Sequence, residues 1–394
     1  MKRSRYNDVR AVVLGLELNG LNVVRSLGRN RVQVVGVDSD IEQPSALSKY
    51  LLHRFRTPDI RGPAVIDTLL ELAKDGRRYA LFPTMDATVH LLSEARDRLP
   101  DNLIYRLPDR ETVGRLLHKG SLRELFKTMD IPGPGYAVVD RLEALESAME
   151  NLRFPLVMKA TLKKMDDAPK ATILDDMNHG VMAYREQGEG EVILEEWIPG
   201  TDRDVYFCLL AFSGSGELLA TFTGRKIRQW PPLVGGTASA EPVDLEDLEA
   251  RAVRFFRQVG FKGICSMEYK FDARDGEYHA IEPTVGRTDF QSGIATANGV
   301  NIPFAVFADM AGTPVRTPRR TRPVKWRNPV GDYRSAMHYI ERGELTRPDW
   351  KRSVAGPCVS TLFALDDPGP YVVDLFRRGL GRFRRRFMKG GAGS

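Results

Sequence analysis

The sequence predicts an α/β unit followed by a larger α+β body, and three observations carry that expectation. Residues 10–37 read strand–helix–strand. "YALFPTMDATVHLLSEARDRL" repeats the scheme as strand, turn at Pro83–Asp86 and amphipathic helix. Further along, "RDVYFCLLAFSGSGELLATFTGRKIRQW" and "KGICSMEYKFDARDGEYHAIEPT" each place two apolar strands around a glycine-containing turn, the pattern of an antiparallel hairpin.

In the first unit, "RAVVLGL" reads as a buried strand and Leu21, Val24 and Leu27 fall at helical spacing. "RVQVVGVDSD" is the second strand. Gly15 and Gly20 in the turn lack the complete GxGxxG spacing, so they are either a weak dinucleotide-binding signal or glycines that a tight turn needs on steric grounds. Residues 1–110 therefore read as a small open domain with a mostly parallel sheet. Its ligand edge is the C-terminal ends of the strands, which sets Asp38 and Asp86 near any cleft. Either is also an ordinary helix-cap or turn residue.

"DRETVGRLLHKGSLRELFKTMDIPGPGYAVV" reads helix–turn–helix–strand, with Asp109 as N-cap and "IPGPGY" as a stop. "LEALESAMENL" is a helix and "FPLVMKA" a strand. Residues 160–190 are polar and show little apolar periodicity. "EVILEEWIPG" is a strand ending in a turn, "LEDLEARAVRFFRQVGF" a helix, and "GIATANGVNIPFAVFADMAG" helical in two pieces. From residue 313 a basic, proline-rich connector leads to short helices and loops.

Composition narrows the function classes. No apolar run approaches the roughly 18 residues of a spanning helix, and the basic N-terminus does not make a signal peptide. A cytoplasmic location is expected. Cys208, Cys265 and Cys358 form neither a disulfide framework nor a zinc site, and the first two read as core residues. The net charge of +6 resides in the tail, residues 374–391. The rest of the chain is near neutral, which argues against a nucleic-acid-binding fold. The tail's mixture of arginine and phenylalanine suits either a disordered terminus or peripheral contact with anionic lipid.

Four charged features follow one another. Lys119 lies in a helical turn. Lys159 ends an apolar strand. Glu195 and Glu196 close "VILEEWIPG". Glu268 and Glu282 lie on the two strands of one hairpin turning at 273–276, so they fall roughly opposite each other. Strands lie about 4.8 Å apart, and two carboxylates at that separation repel unless a cation stands between them. Oxygen ligands suit Mg²⁺ together with substrate phosphates, and two lysines from separate elements match a triphosphate.

This order resembles the ATP-grasp superfamily of ATP-dependent carboxylate ligases, which includes biotin carboxylase and D-alanine–D-alanine ligase. The resemblance runs from about residue 10 to residue 312. It is carried mainly by "FPLVMKA", "VILEEWIPG" and "SMEYKF…HAIEPTVGR". Similar chains include bacterial carboxylate–amine ligases, some linked to cell-surface polysaccharide genes. The resemblance implies an ATP-grasp fold behind a Rossmann-like pre-domain. It implies domains at 1–110, 111–190, 191–312 and 313–394, the last an extension with the basic tail. It implies ATP with Mg²⁺ or Mn²⁺, and small-molecule carboxylate and amine substrates joined through an acyl phosphate. In that reading Lys119 and Lys159 contact phosphates. Glu195 accepts from the adenine amino group, the backbone of Glu196 and Ile198 completes the base's edge, and Asp204 holds the ribose. Glu268, Glu282 and Thr284 hold the metal. Arg287 faces the acyl phosphate, with Lys226 and Arg228 lining the same end.

The chain departs from the family in three places. Thr284 stands where an Asn is expected, and Arg287 comes one residue late, after Gly286. "TLKKMDDAPKAT" replaces a glycine-rich flap, offering Lys163, Lys164 and Lys170 instead; this stretch, 160–172, is the candidate lid. These departures leave a non-catalytic nucleotide-binding or regulatory module as the alternative.

Overall fold

The computed structural model describes residue 6 and residues 8–161, 171–188, 190–314 and 323–378. The first unit runs β1 (Val9–Leu14), α1 (Leu18–Gly28), β2 (Val34–Asp38), β3 (Leu51–Arg56), α2 (Ala64–Ala73), β4 (Arg78–Pro83), α3 (Asp86–Glu94) and β5 (Leu103–Ile104). Its five strands are all parallel, in the order β3-β2-β1-β4-β5. A parallel strand covered on both faces must be apolar on both, as Ala11, Val12, Val13 and Leu14 of β1 are. Val12 and Leu14 point into one core with Val65, Leu69, Val89 and Leu92 of α2 and α3. Ala11 and Val13 point into another with Val23, Val24 and Leu27 of α1. Gly15 takes φ +97°, and a Cβ on Gly20 would lie 2.0 Å from the Gly15 carbonyl oxygen. Both glycines thus serve the tight turn into α1.

Next come α4 (Arg110–Leu117), α5 (Lys119–Thr128), β6 (Tyr136–Val139), α6 (Leu142–Glu150), β7 (Leu156–Ala160), β8 (Thr172–Leu174), α7 (Met177–Gln187) and β9 (Val192–Glu196). Asp109 caps α4, accepting from the Thr112 N–H at 2.8 Å. The four strands form an antiparallel sheet in the order β6-β9-β7-β8. This sheet and α6–α7 enclose a separate core of Leu145, Met149, Leu156, Met158, Tyr184 and Leu194 among others. The 160–190 region thus holds two elements its polarity concealed. α7 buries only Gly180 and Tyr184, too few for a legible period. β9 lies in this sheet, so the expected 190/191 division runs just ahead of its last strand.

The largest unit contains β10 (Val205–Phe212), β11 (Leu218–Trp230), β12 (Gly236–Pro242), α8 (Glu246–Gln258), β13 (Gly263–Asp272), β14 (Glu277–Val285), α9 (Gly293–Ala297), α10 (Ile302–Met310), β15 (Lys325–Arg327), α11 (Pro329–Glu341), α12 (Arg347–Ser353) and β16 (Cys358–Ser360). Its seven strands run β14-β13-β10-β11-β12-β15-β16. β10 divides its side chains between the two cores of the first unit. Cys208, Leu210 and Phe212 join α8 in one, and Phe207, Leu209 and Ala211 join α10 in the other. The parallel unit and the large sheet therefore share continuous cores.

The C-terminal part is more ordered than loops and short helices. α11 has 13 residues, and β15 and β16 extend the large sheet. The chain then returns to α1, where Asp367 meets Arg25 at 2.9 Å, both nearly inaccessible. Asp367 also accepts from Ser48 Oγ and the Lys49 N–H. Removing one partner of a buried ion pair leaves an uncompensated charge. Asp367→Ala is therefore expected to lower unfolding free energy by about 3–5 kcal/mol in urea titrations. A loss under about 1 kcal/mol would contradict this account.

Candidate active site

Lys119, Leu122, Arg123, Lys159, Glu195, Ile281 and Glu282 line one narrow cleft between α5, the small sheet and β14. Lys119 opens α5, and its N–H donates to the Thr161 carbonyl at 3.0 Å, just past β7. Glu195 pairs in register with Val157, which sets Lys159 diagonally across on the same face. Lys159 Nζ donates to Glu195 Oε2 at 2.6 Å, and Arg123 Nε donates to Oε1 at 2.5 Å. Burial pushes the Glu195 carboxyl up, but these two cations outweigh burial and bring it down to about 2. Arg123 also donates to the Ala280 and Ile281 carbonyls at 2.6 and 3.0 Å.

Glu268 and Glu282 stand directly opposite each other, as their hairpin spacing predicts. Lys226 Nζ lies 2.6 Å from Glu268 Oε2 and also donates to Gln229 Oε1 at 2.8 Å. Two residues along, Ser266 pairs with Thr284, and both hydroxyls donate to Asp289. The donors on this edge are all oxygen, a set that matches a hard divalent cation such as Mg²⁺ or Mn²⁺. A second cluster of possible ligand side chains among the described residues, Asp272, Asp275 and His279, flanks the hairpin turn. There Arg274 occupies Asp272 and His279 meets Asp275.

Gly286 takes φ +68°, and a Cβ there would meet Leu107 at 2.2 Å, so glycine turns the chain into Arg287. Arg287 donates from Nε to Asp86 at the start of α3. Burial alone would lower the guanidinium's pKa; Asp86, with Asp289 and Glu282, more than offsets this. Asn19 Nδ2 donates to the Thr84 and Thr288 carbonyls, both at 2.8 Å. The turns after β1 and β4 are thereby joined to the end of β14. The strand order reverses between β1 and β4, the switch point where open α/β sheets bind ligands.

Other expected site residues lie apart from the cleft lining. Arg228, expected to line the phosphate and acyl end, is held by the C-terminal helices. Its Nε donates to Asp332 at 2.7 Å and one Nη to Ser353 at 2.7 Å, tying β11 to α11 and α12. Its neighbour Lys226 does reach Glu268, because register shifts flank Arg228 in the β11–β12 pairing. The Glu196 side chain pairs with Arg153, and its N–H donates to the Gly135 carbonyl. Ile198 is buried. Asp204 accepts from the Thr201 N–H and hydroxyl in a capping box. Asp38 accepts from the Leu16 and Asp40 N–H groups and holds a turn. Lys163, Lys164 and Lys170, with most of the candidate lid, lie outside the described residues.

Sequence reasoning missed Arg123, Asp289 and Asp202. Arg123 lies one helical turn after Lys119, an i,i+4 signal open to inspection. Asp289 lies within the quoted "EPTVGRTDF" neighbourhood. Asp202 is buried and accepts from the Gln229 and Leu233 N–H groups and from Tyr339 Oη at 2.9 Å.

No family model matches the chain. It is 23% identical over 315 residues to a D-aspartate ligase of Enterococcus faecium, covering 74% of each chain. It is 23% identical over 196 residues to a formate-dependent phosphoribosylglycinamide formyltransferase of Shewanella frigidimarina, covering 48% of this chain and 47% of that one. An ADP complex of N5-carboxyaminoimidazole ribonucleotide synthetase superposes with TM-score 0.66 at 15% identity, over 85% of this chain and 84% of that one. The chain has the ATP-grasp fold. Biotin carboxylase from Campylobacter jejuni shares this ATP-grasp fold with TM-score 0.65 at 12% identity, over 80% of this chain and 74% of that one. The expected fold, ATP-grasp behind a Rossmann-like parallel unit, is borne out.

Glu195 gives a pH prediction. Its folded pKa is depressed to about 2 from 4.5, so its stabilisation is present above 4.5 and is lost as pH falls towards about 2. The shift corresponds to about 3 kcal/mol at neutral pH. Glu195→Gln should be less stable than wild type near about pH 7, and urea titrations should show the gap narrowing by about 2 kcal/mol near about pH 3. A gap independent of pH would contradict the assignment.

Proposed function

We propose that the chain is an ATP- and Mg²⁺-dependent carboxylate–amine ligase acting through an acyl phosphate. The cleft that sets Lys119 and Lys159 beside Glu282 carries this reading. The relatives' names, a D-aspartate ligase and an N5-carboxyaminoimidazole ribonucleotide synthetase, support it. Lys119 and Lys159 hold the phosphates of ATP. The backbone around Glu196 and Ile198 borders the base, and the turn at Asp204 borders the ribose. Glu268, Glu282 and Thr284 would hold Mg²⁺, which supplies charge neutralisation on the transferring phosphoryl group. Lys226, on Glu268, keeps that carboxylate in place.

A substrate carboxylate oxygen attacks the γ-phosphorus in line and ADP departs, forming the acyl phosphate. The amine nitrogen then attacks the acyl carbon, phosphate leaves, and the nitrogen gives up a proton. Arg287 stands by the acyl end, held by Asp86. Positioning and electrostatics supply most of the catalysis. The substrate ATP supports a cytoplasmic location. The resemblance to ligases linked to cell-surface polysaccharide genes supports a place in envelope metabolism.

A coupled ADP-release screen over amino acids, amino sugars and small acids tests this. Glu282→Gln is expected to lower turnover by about 100-fold or more, the scale of removing one electrostatic stabiliser. Undiminished turnover in that variant refutes the metal assignment. A second reading, a nucleotide-binding module without catalysis, draws support from Thr284, whose hydroxyl proton goes to Asp289. Tight ATP binding with no ADP release across the screen selects it.

We also propose peripheral contact with an anionic membrane. No helix among the described residues is long and apolar enough to cross one. Around the start of the basic tail, however, Leu365 is 88% and Phe376 70% exposed, with Phe363, Val372 and Leu375 also open to solvent. Apolar side chains beside a run of arginines suit an anionic lipid surface. The full chain should sediment with phosphatidylglycerol vesicles, weakly with phosphatidylcholine, and at least about tenfold less after Leu365→Glu with Phe376→Glu. Equal sedimentation of the two forms overturns this proposal.

A further inference from the structure

Arg123 is absent from the family resemblance, yet its side chain makes three hydrogen bonds at the cleft. It is nearly inaccessible. It donates once to the Glu195 carboxylate and twice to the backbone carbonyls of Ala280 and Ile281, immediately before Glu282. Glu195 therefore has two cationic partners, Arg123 on one oxygen and Lys159 on the other.

The two partners differ in what holds them. Arg123 is fixed by strand carbonyls and by a helix whose Leu122, Leu125 and Phe126 are core residues. Lys159 reaches Glu195 through one flexible stem that extends into the cleft. If Lys159 were the sole partner, its departure would leave a buried, unpaired carboxylate, which is strongly unfavourable. With Arg123 in place, Lys159 leaves without orphaning Glu195. The carboxyl's depressed pKa agrees with a group meant to stay ionised throughout.

We propose that Arg123 is a positioning residue that makes Lys159 exchangeable: it keeps Glu195 neutralised while Lys159 moves from Glu195 to a nucleotide phosphate. Glu195 is then the keeper of Lys159 in the nucleotide-free chain rather than primarily an acceptor for adenine. By donating to the carbonyls of residues 280 and 281, the same guanidinium fixes the strand that carries Glu282. This inference rests on the nucleotide-binding reading above.

Calorimetric titration of the full chain with MgADP tests it, and the readout is affinity rather than turnover. Arg123→Gln should weaken binding by about tenfold or more, because Lys159 is then the only cation on Glu195. Arg123→Lys, which keeps the charge beside Glu195 but loses the fork to the carbonyls, should lose clearly less affinity than Arg123→Gln. Adding Glu195→Gln to Arg123→Gln should restore binding, since nothing then retains Lys159; a merely structural arginine would not be rescued by removing its partner. Glu195→Gln alone should bind MgADP at least as tightly as wild type, and it carries the test should Arg123→Gln fail to fold. Weaker binding by Glu195→Gln, no rescue in the double variant, or equal losses in Arg123→Lys and Arg123→Gln would each overturn the exchange. A wild-type chain that binds no MgADP fails at the nucleotide reading itself, a distinguishable result.

Discussion

A carboxylate buried at the end of a central strand has to be neutralised, and much of the cleft's geometry follows from how Glu195 is. β9 lies between β6 and β7, so Glu195 is flanked by paired strands and shielded from water. An isolated charge there would protonate instead of remaining ionised. Lys159 comes from the neighbouring strand because the β7–β9 register sets it diagonally opposite. Arg123 comes from α5, which packs in the core of the body and not in that of the small sheet. One charge therefore draws together a strand pair, a helix and, through the carbonyls of 280 and 281, the strand bearing Glu282.

The other end of the cleft depends on register. A slip of one residue between β13 and β14 would move Glu282 to the opposite face from Glu268. The hairpin turn sets the pairing, and a shift between Glu268 and Tyr269 restarts the alternation beside the carboxylate pair. Beyond Val285 the strand gives way to Gly286, Arg287 meets Asp86, and Asn19 clasps Thr84 and Thr288. The β14 edge of the large sheet is thereby held against the switch point of the parallel sheet. The two sheets also share the cores on both faces of β10, so this edge rests on buried apolar surface as well as on polar contacts.

What could be read from the amino acids was whatever has a local period or a fixed spacing. The buried strands, both hairpins, the Asp109 cap and the opposition of Glu268 and Glu282 are of that kind. Four of the charged residues singled out by order alone, Lys119, Lys159, Glu195 and Glu282, line one cleft. What escaped depends on partners distant in sequence. Arg228 looks like its neighbour Lys226 until Asp332, 104 residues later, takes its guanidinium. α7 was illegible because Gly180 occupies a packing position: a Cβ there would lie 2.4 Å from the Met149 sulfur. β15 and β16 are three-residue strands and present too few side chains to alternate. Arg123 was visible at i,i+4 from Lys119, but nothing local tells that its charge turns inward to Glu195.

The distribution of apolar burial gives the small sheet a different mechanical standing from the rest. Its core of Leu145, Met149, Leu156, Tyr184 and their neighbours is separate from the two cores that unite the parallel unit with the large sheet. Its described links to the body include the Lys119 N–H to Thr161 carbonyl bond and the Arg123–Glu195 pair. Shifting it as a unit would disturb polar contacts of this sort, each with a net worth of about 1 kcal/mol for a neutral hydrogen bond and more where a charge takes part. Splitting either shared core would expose side chains worth about 1.5–3 kcal/mol apiece. A motion of the small sheet as a unit would therefore fall at this boundary, and the cleft with both lysines lies on it. Arg123 spans the same boundary. In the proposed exchange of Lys159, an Arg123 that remains on Glu195 would let the small sheet keep its electrostatic attachment to the body.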